Sequence, residues 1–347
     1  MNKLIILLLI TVLSNSTLLG QAISNSGNSV LFDENSLLKI TLNTDFSQLI
    51  KRKDNEEIYF SGECTFHWSD SYKFDVPLKI KARGYYRRIN CYFPPLMLNF
   101  KPDSLKTAEG TYGKIKLVTH CQKSKIYKDY LLKEYLAYKL YEIISPNSLK
   151  TRLVEVTYTD TGKREKHAKN IGFLIEPLDA MCRRNNSIEL KSSAFHLSEV
   201  DELEADRVAL FMYMIGNTDW RIKSGHNIKF IKPNNFKVLK VTPVPYDFDH
   251  AGLINAAYAN PSEWSVAQSI TERDFLGKCR ITNRNYGILV NGFMEKKDLI
   301  YQTILEFEWL EQNKRKVLLK YIESFFNELE KPDRFIKKLN NTCLDDY

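Results

Sequence analysis

The apolar period of this chain changes part-way along its length. Phe74, Val76, Leu78 and Ile80 alternate with Asp75, Pro77, Lys79 and Lys81. A period of two fits a half-buried strand and no helix. The runs Leu38–Leu42, Ile58–Phe60, Glu63–Trp68, Leu96–Phe100 and Ile115–Thr119 predict further strands, with a short helix over Asp45–Lys51. The first 120 residues therefore read as mostly β. From Lys128 to Ile144 the spacing becomes helical, through Leu131, Leu132, Tyr135, Leu136, Leu140 and Ile143, until Pro146 stops it. Glu134 lies between its i−3 and i+4 neighbours Leu131 and Tyr138, so a carboxylate is predicted on a half-buried face in want of a cation.

Strands return at Arg152–Thr159 and Ile171–Glu176, joined by a basic hairpin over 161–169. Beyond Pro177 the pattern is again helical. Ser198-Glu199-Val200-Asp201 reads as a capping box for a helix that carries Ala205, Val208, Ala209, Met212 and Ile215 and ends at Gly216. A hairpin follows, with its return strand predicted over Phe236–Val244, and then helices over Lys296–Leu329 and Arg334–Leu339. The expected class is α+β, with a β-rich part over 37–176 and an α-rich part over 177–347.

Apolar residues make up 44% and charged residues 27% of the chain, which excludes a disordered or collagen-like protein. The formal charge of +8 is mild for 347 residues, and no five consecutive residues are basic, so nucleic acid is not an expected partner. Lys3, the apolar run Leu4–Leu13 and the small residues near position 20 describe a cleavable signal peptide over 1–20, followed by a flexible lead-in over 21–36. The run is too short to span a bilayer, and no later segment is long enough, so the mature chain is expected to be exported, periplasmic or secreted. Six cysteines allow 15 pairings, and the sequence does not choose among them or exclude free thiols. There is no C-x-x-C, and the histidines lack zincin spacing.

The chemistry concentrates in 216–252. A helix ends at Gly216, Asp219 lies in the loop after it, Asn227 opens a hairpin, and the return strand leads into Asp247-Phe248-Asp249. In phosphoryl transfer one Asp orients the attacking hydroxyl and accepts its proton, while an Asn and a second Asp hold the Mg²⁺ that bridges the phosphates. Hard cations prefer such oxygen ligands. Asp247 and Asp249 point to opposite faces if the strand persists, which favours Asp247 as the ligand.

Gly216-Asn217-Thr218-Asp219, His226-Asn227 and Pro245-Tyr246-Asp247-Phe248-Asp249 resemble the catalytic and metal motifs of the spore-coat CotH-type kinase-like family and, more distantly, of HipA-type kinases. Lys81-Ala82-Arg83-Gly84 with Arg87-Arg88 sits where that family has its Arg-Gly-Asn-Ser-Ser loop, and Pro95–Lys101 is similar to the strand that follows. Ile171–Glu176 looks like the strand where two lobes join. The resemblance spans roughly 38–255 and implies a bilobal protein-kinase-like fold with a β-rich N-lobe, an α-rich C-lobe and ATP with Mg²⁺ or Mn²⁺ between them. It implies Asp219 as the catalytic Asp, Asn227 and Asp247 as metal ligands with Asp249 a second acid nearby, and Glu134 paired with a phosphate-binding Lys. Arg83, Gly84, Arg87 and Glu176 fall among the implied nucleotide contacts. There is no G-x-G-x-x-G, and Phe93-Pro94-Pro95 stands where the family carries Lys, so Lys101 and Lys116 are both candidates for the phosphate-binding Lys. The functions implied are phosphoryl transfer to a protein or small hydroxyl acceptor, a binding or structural role on a weak or dead site, or AMP transfer.

Overall fold

The computed structural model describes residues 30–33, 35–162, 166–192 and 195–344. The signal peptide expected over 1–20 and residues 21–29 of the lead-in lie outside them. Where the lead-in is described, Leu31 and Phe32 are buried, and their backbone N–H groups donate to the Glu109 carboxylate. That part of the lead-in is docked against the first half.

Seven strands form the first architectural unit: β1 (Leu38–Thr44), β2 (Phe60–His67), β3 (Lys73–Ala82), β4 (Leu96–Phe100), β7 (Lys114–Val118), β8 (Thr151–Asp160) and β9 (Lys166–Ile175), with the two-residue strands β5 (Lys106–Thr107) and β6 (Gly110–Thr111) forming a separate ribbon. The order β1-β2-β3-β4-β7-β9-β8 closes on itself, because β1 pairs antiparallel with β2 on one side and parallel with β8 on the other. Alternating residues fill the interior: Leu38, Ile40 and Leu42 from β1, Val76, Leu78 and Ile80 from β3, and Leu96, Leu98 and Phe100 from β4.

Helix α1 (Phe46–Lys51) is capped by Asp45, α2 (Tyr86–Asn90) follows β3, and α3 (Lys125–Ile144) crosses the outside of β8 and β9. Over 151–154 and 172–175 those two strands are consequently buried on both faces: Val154 and Leu174 point into the barrel, while Leu153, Phe173 and Ile175 join the helical core. The second half contributes α4 (Leu178–Arg184), α5 (Glu202–Ile215), α6 (Arg284–Met294), α7 (Lys297–Leu305), α8 (Gln312–Leu329), α9 (Pro332–Thr342) and an antiparallel sheet of β10 (Ser187–Leu190), β11 (Ile228–Pro233) and β12 (Thr242–Pro245).

The bilobal protein-kinase-like fold with a β-sheet N-lobe is not what forms. A closed seven-stranded barrel, two small sheets and, among the described residues, nine α-helices take its place. Alternation reports which side chains point inward, but not whether the last strand returns to the first, and here the β1–β8 pairing removes the open edges. Smaller differences have local causes. Asp201, not Ser198, caps α5 and accepts from the Glu204 N–H. The single helix expected over 296–329 breaks at 306–311, where Phe307, Trp309 and Leu310 turn toward the core. The return strand is short, and Phe236 and Leu239 are exposed in the loop before it. Two disulfides form, Cys91–Cys121 and Cys279–Cys343, while Cys64 and Cys182 are free and buried. Among the described residues no helix is long and apolar enough to cross a membrane.

Candidate functional site

A cleft of about 230 Å³ opens where the outer face of the barrel meets the loops of the second half. Nine of the eleven residues singled out in the sequence line it: Arg83, Gly84, Arg87, Lys116, Glu134, Asp219, Asn227, Asp247 and Asp249. Lys101 does not. It follows the far end of β4, whereas Pro95, just before the near end, lines the cleft, and the six residue steps between them span roughly 20 Å. Glu176 is also elsewhere: buried, it pairs with Arg184 at 2.8 Å and accepts the Lys150 N–H, so it fastens α4 to the ends of β8 and β9.

Each lining residue is placed by local structure. Gly216 caps α5 at φ +64, and Asn217 bridges to Ala251, which sets the loop that carries Asp219. The Asp219 carboxylate meets His226 Nε2 at 2.8 Å through Oδ1 and accepts from Asn227 Nδ2 at 3.0 Å through Oδ2. Asn227 and Asp247 are neighbours across the hairpin mouth, because the Tyr246 N–H donates to the Asn227 carbonyl. Both have left-handed backbones, φ +53 and +64, which Asn and Asp tolerate better than most residues. The strand ends at Pro245, so the opposite-face expectation for Asp247 and Asp249 does not hold, and both line the cleft. The Asp247 N–H donates to the Tyr138 hydroxyl, which lies one turn along α3 from Glu134.

Arg87 is the centre of the charge arrangement. Its Nη2 donates to Glu134 Oε2 at 2.5 Å, and its Nε donates to Asp249 Oδ2 at 2.8 Å. Glu134 is therefore paired with an arginine from the loop after β3, not with a lysine from a strand. Burial raises Glu134 above the usual carboxylate range, Asp249 and Asp247 add to the rise, and the Arg87 guanidinium opposes it by favouring the ionised form. Burial also acts on Asp249, but Arg87 beside it, with His250, holds it below the usual carboxylate range, and the Tyr258 hydroxyl donates to it.

Asp247 differs from both. Among the described residues its carboxylate has no hydrogen bond or ion pair, and burial and Asp249 raise its pKa. A half-buried carboxylate without a partner bears part of the cost of desolvation, and a cation at that position would offset it. Asn227 spends its amide nitrogen on Asp219, which leaves the amide oxygen available. Two oxygen donors suit Mg²⁺ or Mn²⁺, which take one or two protein ligands and complete their shell with phosphate and water. No cluster of three His, Cys, Asp or Glu side chains suited to a metal occurs among the described residues.

Opposite the acids stand cations. Among the described residues the Arg83 and Lys116 side chains make no ion pair. Lys116 and Val118 share the outer face of β7, and burial together with Arg83 lowers Lys116 to about 7. The Lys116 and Lys229 ammonium groups lie 4.8 and 5.5 Å from the Tyr246 ring centroid. Lys229, Tyr246 and Tyr258 were not legible as site residues. The one available signal was proximity in sequence to Asn227 and Asp247 for the first two. Pro95, Val118, Leu149 and Ile175 supply an apolar wall.

Neither a protein-family model nor any curated protein matches this chain.

Proposed function

We propose that this protein is an exported phosphotransferase that uses a nucleoside triphosphate, ATP in the first instance, with Mg²⁺ or Mn²⁺, and transfers phosphate to a hydroxyl of a protein or small molecule. The observation that carries this reading is the meeting in one cleft of a partnerless carboxylate, Asp247, and two cations without ion pairs, Arg83 and Lys116. Arg83 and Lys116 would hold the phosphates, Arg by a planar fork and Lys as a point charge. The wall formed by Pro95, Val118, Leu149 and Ile175 would take the base. At about 230 Å³ the cleft is below the roughly 300–1,000 Å³ of pockets for drug-sized ligands, so a nucleotide would fill it and extend past Tyr85 and Tyr86.

Asp247 and the Asn227 amide oxygen would hold the metal ion, which when bound neutralises charge on the phosphate oxygens. Asp219, fixed by His226 and Asn227, would orient the acceptor hydroxyl and accept its proton. Two disulfides suit an oxidising compartment and support export. A binding role without turnover is the second reading. It is favoured by Arg87, which commits Glu134 and Asp249 to an internal ion pair.

Melting temperature with and without ATP and Mg²⁺ or Mn²⁺ tests the site, because a ligand of the folded state must raise it. A metal-dependent rise lost in Asp247→Ala is expected. No rise at millimolar nucleotide would sink the reading. If Asp219→Ala keeps the rise, transfer of labelled γ-phosphate to candidate acceptors by the wild type and not by the variant separates turnover from binding.

A further inference from the structure

Some phosphoryl-transfer sites hold one Mg²⁺ ion against the nucleotide phosphates and others, such as those of protein kinases, hold two. The cleft contains two places where acids gather. One is Asp247 with Asn227, which is open to a cation. The other lies between Glu134 and Asp249, and it is already filled. The Arg87 guanidinium reaches both carboxylates, at 2.5 Å from Glu134 Oε2 and 2.7 Å from Asp249 Oδ2. A Mg²⁺ ion on these oxygens would sit 2.0–2.1 Å from each, in space that the guanidinium nitrogens take up. Ion and arginine exclude one another there.

Resting on the phosphotransferase reading above, we propose that Arg87 is a built-in counterion in the place of a second metal, so that the protein takes one divalent ion per chain, at Asp247 and Asn227. The backbone on either side of Arg87 supports a fixed role. The Arg83 N–H donates to the Pro95 carbonyl, the Cys91–Cys121 disulfide ties the end of α2 to the chain beyond β7, and the Phe93 N–H donates to the Cys121 carbonyl. Arg87 therefore belongs to a strap fastened at both ends, and its side chain is 13% exposed. Its partners are 2% and 9% exposed, so removing the guanidinium would leave two buried carboxylates facing each other. Arginine does not lose its proton in proteins, so this cation cannot be chelated or exchanged.

The test is the number of Mn²⁺ ions bound by the full chain, counted by electron paramagnetic resonance at saturating non-hydrolysable imido analogue of ATP, with nucleotide-bound Mn²⁺ in protein-free controls subtracted. One protein-dependent ion is expected in the wild type and in Arg87→Lys, and two in Arg87→Ala, where the acids regain a use for a metal. If Arg87→Ala does not fold, the wild-type count still decides. Two ions in the wild type would overturn this inference and leave the phosphotransferase reading standing. No bound ion, or one that persists in Asp247→Ala, would overturn both.

Discussion

Lys116 occupies the outer face of β7 among like charges, and its lowered pKa of about 7 makes it the residue whose behaviour with pH is most distinctive. In the unfolded chain a lysine titrates near 10.4. Between about 7 and 10 the unfolded state therefore holds a proton that the folded state lacks, and this group makes stability rise with pH across that window. A bound phosphate reverses the preference, because it favours the ammonium form. Nucleotide binding above pH 7 should take up a proton at Lys116, and affinity should fall as pH climbs from 7 to 9. Isothermal titration in buffers of different ionisation enthalpy checks the uptake, and Lys116→Met should abolish it. An uptake unchanged in the variant would remove Lys116 from the phosphate site. At Asp247 the left-handed backbone separates two effects. Asp247→Asn keeps a side chain suited to that conformation but loses the charge, whereas Asp247→Ala loses both. Both variants should lose the metal-dependent rise in melting temperature, and the alanine should be about 1 kcal/mol less stable than the asparagine in denaturant unfolding.

The order Asp219, Asn227, Asp247 was legible because a helix stop, a loop and a hairpin fix their relative positions from local chemistry alone. Gly216 ended α5 as its type suggested, and Glu134 was legible as a half-buried acid in want of a cation. Its partner was not, because Arg87 comes from 47 residues away in a five-residue helix too short to leave a periodic signal. Barrel closure was hidden for the same reason, since β1 and β8 are more than a hundred residues apart. Gly216 is the most demanding element boundary. At φ +64 an L side chain is strained, and a Cβ there would run into the Tyr321 hydroxyl and come within 3.5 Å of Gly252. Gly216→Ala should cost about 2 kcal/mol or more, read from denaturant unfolding. It should also weaken nucleotide binding, because the Asp219 loop begins there. Full stability in this variant would mean that the cap can relax without moving the loop.

At the scale of the molecule, the cleft belongs to neither half. The barrel side supplies Arg83, Arg87 and Lys116, and the second half supplies Asp219, Asn227, Asp247 and Asp249. The Arg87–Asp249 pair joins positions 162 residues apart. The two disulfides divide along the same line. Cys91–Cys121 fastens the strap that carries Arg83, Gly84 and Arg87, whereas Cys279–Cys343 joins the segment before α6 to the end of α9, away from the cleft. They close loops of 30 and 64 residues, and chain-entropy arguments assign each about 3–4 kcal/mol. Removing either pair with serine should therefore lower the melting temperature by a similar amount. Their effects on ligand binding should differ. Without Cys279–Cys343 the increment produced by ATP and Mg²⁺ should be unchanged, because the cleft residues keep their supports. Without Cys91–Cys121 the increment should shrink, because the strap must then be ordered at the expense of binding free energy. Equal increments in both variants would show that the hydrogen bonds from Arg83 to Pro95 and from Phe93 to Cys121 hold the strap by themselves.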